Sequence, residues 1–248
     1  MARYFLGRPG WPEDLLHGLA MARRADPASY AGVVGYVYLL GIPFGVLRPD
    51  DRALHEIEDA LRIAERSSDD VVVGFTRATL GVALVHRDTI LERGRGQQLL
   101  AEVGDVFLNQ GHNLCDLPIV DVYSARETAR QGDHDAAIPV IRAAADHLFR
   151  QGHLLLWGVP ATGVLVETLL DQGADGDVAE IEAAIDRLAV ASADEGLVMR
   201  DIWLLRLRAL LARARGDAAA YTHFRDRYRD MAKTLGFEGH IAWADAMP

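Results

Sequence analysis

The stretch Ala125 to Ala144 reads A-R-E-T-A-R-Q-G-D-H-D-A-A-I-P-V-I-R-A-A, and its punctuation governs the reading of the chain. Gly132 followed by Asp133 is a stop and a start. Glycine accepts the left-handed backbone that ends a helix, and an aspartate carboxylate accepts the free amides that begin the next. Ala125, Ala137 and Ala144, with Ile138, place small side chains where two antiparallel helices must approach. These residues serve packing, and no catalysis is needed to explain them. Further out, Gly111, Gly132, Gly152 and Gly173 follow at intervals of 21, 20 and 21 residues, and Gly216 to Gly236 is again 20. Two antiparallel helices of that length occupy about 40 residues, the period of a helical-hairpin repeat.

The same segment resembles a tetratricopeptide (TPR) repeat, with its small residue in the first helix, G-D-x-x-x-A-I at the turn and a later alanine. Helix signals continue on both sides. Asp26-Pro27 opens a helix to about Gly41, Asp50 opens one to about Arg66, and Asp69 or Asp70 opens Val71 to His86. In the second of these, Leu54, Ile57, Leu61 and Ala64 form an apolar stripe; the third is apolar on most sides and predicts a buried layer. Looser hairpins start at Gly176-Asp177, with Ile181 and Leu188, and at Gly216-Asp217, with Tyr221 and Tyr228. Gly41 to Pro49 and Trp157 to Gly163 each combine proline, glycine and an aromatic, predicting bent backbone. Gly94-Arg95-Gly96 reads as a local turn or helix defect. The expected fold is all-α, TPR-like hairpin repeats forming an α-solenoid or superhelix. Residues 1–10 read as an N-terminal extension and 11–248 as one repeat domain.

Composition narrows the function classes. A chain of 248 residues, 50% hydrophobic, is long enough to bury a large core. The net charge of -10 repels phosphate backbones and anionic lipid heads, so neither nucleic acid nor membrane is an expected partner. A single cysteine, Cys115, makes no internal disulfide, and a reducing, cytoplasmic location is the expectation. No window reaches the roughly 18 apolar residues of a membrane span.

Chemistry-bearing motifs are sparse. Lys233-Thr234 lacks the glycines of a phosphate-binding loop, and Gly94-Arg95-Gly96 follows no strand. His112, Cys115, Asp133 and His134 form the tightest cluster of metal-ligating types, yet they supply one local pair and no second at a recurrent spacing. Asp50-Asp51 and Asp69-Asp70 read as helix caps. Arg200 and the arginines from Arg206 to Arg215 read as solvated faces with local ion pairs. No catalytic, cofactor-binding or metal-binding residue is therefore assigned, and no cofactor is expected. Tyr36, Tyr38, Phe44 and Trp157 are the candidate residues of a groove or ligand pocket, the alternative being core filling.

Four blocks carry a wider resemblance: Leu40 to Asp51 (L-G-I-P-F-G-V-L-R-P-D-D), Arg95 to Val103 (R-G-Q-Q-L-L-A-E-V), Trp157 to Leu170 (W-G-V-P-A-T-G-V-L-V-E-T-L-L) and Arg229 to Pro248. Together they resemble the C-terminal helical region of bacterial multidomain proteins that join a class III adenylate or guanylate cyclase, a STAND-type or AAA-type ATPase, and TPR-like repeats; some relatives carry a LuxR-type DNA-binding end. The cyclase aspartates on a ferredoxin-like sheet and the ATPase phosphate loop have no counterpart here. The resemblance implies a non-catalytic regulatory domain that binds a peptide segment or a neighbouring cyclase or ATPase domain. The alternative it implies is a small-ligand sensor of the kind found in STAND and LuxR-type transcriptional regulators.

Overall fold

The computed structural model describes residues 2–67, 69–111, 113–173, 177–191 and 197–248. Within them all regular structure is helical: α1 (Ala2–Phe5), α2 (Trp11–Ala25), α3 (Pro27–Gly41), α4 (Asp51–Ser67), α5 (Asp70–Val85), α6 (Ile90–Gln110), α7 (Leu117–Arg130), α8 (His134–Arg150), α9 (Val159–Gln172), α10 (Asp177–Val190), α11 (Val198–Ala214), α12 (Ala218–Leu235) and α13 (Glu238–Asp245). A π-helical segment, Leu154–Gly158, runs directly into α9.

The helices begin and end for the reasons the sequence supplies. The carboxylates of Asp26, Asp69, Asp133 and Asp217 each accept amide hydrogens in the first turn of the helix they precede. Gly111, Gly132, Gly152, Gly173, Gly216 and Gly236 all take φ between 67° and 99°, the left-handed conformation that closes a helix. Gly176, which opens one of the looser hairpins, lies outside the described residues.

Packing follows a simple order. Consecutive helices from α2 to α13 pack as neighbours, and α3, α5, α7, α9 and α11 also touch in succession. No two successive even-numbered helices make comparable contact. The odd-numbered helices therefore form a row covered by the even-numbered ones, and the burial pattern agrees. In α5, every residue from Gly74 to Val85 except Arg77 is buried. In α4 only the stripe at Ala53, Ile57, Ala60 and Ala64 is buried. Withdrawing a side chain such as Ile57 from water contributes about 1.5–3 kcal/mol.

Three local expectations are corrected. The Gly94-Arg95-Gly96 stretch is neither turn nor defect and lies inside α6. A Cβ on Gly96 would stand 2.9 Å from the Gly81 carbonyl oxygen, so glycine is what lets α5 and α6 cross with their backbones in contact. Trp157 to Gly163 stays helical: the amide of Val159 reaches back to the Leu154 oxygen, and Pro160 enters α9 in its first turn, where a missing amide is tolerated. In α8 the buried residues are Ala137, Ile138, Ile141, Ala145 and Leu148, so Ala137 faces inward as expected, Ala145 does too, and Ala144 only partly.

The last helix returns to the first third of the chain. The Glu238 amide donates to the Val46 oxygen at 2.9 Å and the His240 amide to the Gly45 oxygen at 2.8 Å. Gly45 has φ 71°, and His240 and Trp243 would collide with any Cβ there, which explains the bend in Gly41 to Pro49. Residues 1–10, read as an extension, include α1, and the Phe5 ring meets Phe44 edge-on at 5.2 Å. Trp11 adds a hydrogen bond from its indole nitrogen to the Leu235 oxygen at 3.0 Å.

Candidate functional site

The four aromatic candidates do not share one groove. Phe44 and Trp157 are fully buried and stack at 6.3 Å between centroids, with the Trp157 indole nitrogen donating to the Asp116 carboxylate at 3.2 Å. Burial pushes the Asp116 carboxyl above the usual range, and the Trp157 and Cys115 hydrogen bonds pull it partly back. Tyr38 is buried and donates its hydroxyl to Glu56 at 2.8 Å; burial and that carboxylate both raise its pKa. Tyr36 alone is exposed, at 43%, its ring stacked on Phe75 at 5.4 Å. The reason is helical geometry: Tyr36 and Tyr38 are about 200° apart around α3. Phe44 directly precedes Gly45 and Val46, whose carbonyls accept the amides of His240 and Glu238.

Two cavities flank α2. The larger, about 570 Å3, runs between α2, α3 and the start of α5, past Leu15, Leu19, Val33, Tyr36 and Val72. The second, about 460 Å3, lies on the other side of α2 and contains Tyr38 and Glu56. Leu15, Leu19 and Val37 line both. Among the described residues helix α2 packs mainly on α3, with Trp11 reaching Leu235 and Phe237, and only Trp11 and Ala22 of α2 are buried.

The floor of the larger groove was missed in the sequence. Gly18 and Gly32 lie inside helices with ordinary negative φ, and a Cβ on either would meet nothing within 4 Å. Neither ends a helix nor permits a close crossing, and the space they leave is the groove. Two unexplained glycines in helical context were the available signal. Among the described residues the charged side chains lining this groove are acidic: Asp14, paired with Arg3 at 3.0 Å, and Asp69, which caps α5.

The metal-type cluster is not gathered by the fold as far as it is described. His112 lies outside the described residues, Asp133 caps α8, His134 lies 3.3 Å from Asp171, and Cys115 is exposed beside Asp116. Among the described residues no three metal-ligating side chains converge, and no helix is long and apolar enough to cross a membrane. Arg206, read as part of a solvated face, is instead packed against Trp203, Trp243 and Glu167, its side chain 13% exposed. Comparison with protein-family models, curated proteins and solved structures finds no match to this chain.

Proposed function

We propose that this chain is a non-catalytic regulatory domain of the TPR-like helical-hairpin kind, which docks an amphipathic helix of another protein in the groove between α2 and α3. The observation that carries the reading is the groove: about 570 Å3, apolar along its walls and widened by Gly18 and Gly32. Its size falls in the range of about 300–1,000 Å3 typical of binding sites. A helix that lays apolar anchors at i, i+3, i+4 and i+7 fills such a trough. Basic residues flanking those anchors meet Asp69 at the edge, and Asp14 where they displace Arg3 from its 3.0 Å pair.

The alternating rows of helices support the TPR-like reading, and the resemblance described above makes a neighbouring cyclase or ATPase domain the natural source of the docked helix. On this reading the chain acts inside the cytoplasm, has no chemistry of its own, and engages neither nucleic acid nor membrane. A small-ligand sensor is the second reading, favoured by the exposed Tyr36 ring stacked on Phe75 at one end of the groove.

The test uses fluorescence anisotropy with a labelled leucine–lysine amphipathic peptide and its leucine–glutamate counterpart. The basic peptide binds, the acidic one does not, and Gly32→Leu abolishes binding while the helical circular dichroism and melting temperature are kept. Equal binding to wild type and Gly32→Leu overturns the helix-docking reading. A thermal-shift screen in which only small molecules give Gly32-dependent stabilisation favours the sensor.

A further inference from the structure

The cavity between α7 and α9 lies apart from the groove and is lined by Arg126, Ala129, Arg130, Glu167, Thr168 and Asp171, with a volume of about 250 Å3. We infer that this cavity binds a small oxyanion, a carboxylate or phosphate group, held by the guanidinium of Arg126 with Arg130 beside it.

The Arg126 side chain is 18% exposed, and among the described residues its guanidinium makes no hydrogen bond; its nearest carboxylate oxygen, on Glu167, is 3.7 Å away. The other Glu167 oxygen is taken by Arg206. Arg130 pairs with Glu127 and donates to the Val85 oxygen at 3.0 Å, and Arg93 lies 3.2 Å from the second Glu127 oxygen. Arg93, Arg126, Arg130 and Arg206 thus share Glu127 and Glu167, leaving two positive charges in excess within a chain of net charge -10. Asp171 is at the rim, 71% exposed, and offsets one of them at most.

A largely buried guanidinium held only by a 3.7 Å ion pair to a shared Glu167 and by the Tyr123 ring at 5.7 Å is incompletely compensated, and a partner anion removes that cost. The planar fork of arginine matches two oxygens of a carboxylate or phosphate. Burial and the charge of Arg130 both act against the charged form of Arg126, and a bound anion reverses the second effect. The Thr168 hydroxyl donates to the Val164 oxygen, so recognition rests on the guanidinium groups. A cavity of about 250 Å3 admits an acetate-sized or phosphate-sized group and excludes a nucleotide. His86, whose ring is 4.6 Å from Tyr123 and which feels the charges of Arg126 and Arg130, reports on the site from nearby.

The experiment titrates the full chain separately with sodium phosphate and sodium acetate, against sodium chloride at equal ionic strength, following melting temperature and the His86 ring resonance. The expected result is a saturable rise in melting temperature and a saturable His86 shift, with either anion, beyond the chloride control. Whichever binds tighter assigns the site to phosphate or to carboxylate. Arg126→Gln weakens binding on the order of tenfold or more, and Arg126→Lys restores part of it for phosphate. Independently of any variant, the anion slows phenylglyoxal modification of Arg126 in the wild-type chain, read by peptide mapping. No response beyond chloride, unchanged affinity in folded Arg126→Gln, or no protection of Arg126 overturns the inference.

Discussion

Gly163 of α9 is pressed against the indole of Trp203 in α11, so closely that a Cβ on it would stand 2.1 Å from the ring carbon Cζ3. Trp203 has no room to retreat, because His240 at 5.6 Å, Trp243 at 5.5 Å and the Arg206 guanidinium at 5.6 Å also press on its ring. Gly163→Ala therefore destabilises the fold by about 1–3 kcal/mol, the range for overpacking a core. Urea denaturation followed by circular dichroism measures it, and a neutral result contradicts the packing described.

Gly18 and Gly32 predict the opposite sign. Both are helical and face open space, so Gly18→Ala and Gly32→Ala each add about 0.4–1 kcal/mol by removing backbone freedom from the unfolded chain. The same denaturation experiment checks this, and a loss of stability at either site means that the groove floor is more crowded than described.

His240 makes stability depend on pH. It is fully buried, its Nδ1 lies 2.8 Å from the Tyr228 hydroxyl, and its Nε2 has no hydrogen-bond partner among the described residues. Burial first, then the charge of Arg206, hold its pKa well below 6.5. The folded state keeps it neutral, whereas the unfolded chain binds a proton near pH 6.5. Its contribution is complete above that value and declines as pH falls, by about 1.4 kcal/mol per pH unit, until the folded pKa is reached. His86, held down to about 3 by burial and by Arg126, acts in the same direction. Denaturation midpoints between pH 8 and 5 should fall with acidity, and His240→Gln should flatten the slope.

Glu127 sits between Arg93 and Arg130 with its side chain 4% exposed. Glu127→Ala leaves both guanidinium groups uncompensated and costs about 3–5 kcal/mol, the range for breaking one side of a buried ion pair. Thermal melts of Glu127→Ala and Glu127→Gln check it; equal stability to wild type excludes a structural role for the pair.

Local chemistry was legible in the sequence and assembly was not. Asp133 and Gly132 announced the α7–α8 hairpin because a cap and a left-handed glycine act within a few residues of themselves. The π-helical segment before Pro160, with Trp157 on Asp116 and Phe44, and the crossing of Gly96 on Gly81 depend on residues of other elements, and short-range pattern misread both as breaks. Of the residues lining the groove, Tyr36 was singled out in the sequence but Gly18 and Gly32 were not, since a cavity is defined by atoms that are missing. Arg126 and Arg130 stand one helical turn apart in the very segment read for its alanines. Nothing local revealed that Glu167 would be shared with Arg206.

The bonds from Glu238 and His240 back to Val46 and Gly45 set an order on how the chain acquires its shape. Hairpins such as α7–α8 join neighbours in sequence and can form while synthesis proceeds, whereas this contact spans nearly two hundred residues and must wait for the final helix. Until α13 has been made, Trp203 lacks the cover that His240 and Trp243 supply. A growing chain that lacks α13 therefore presents this aromatic surface to chaperones and to aggregation.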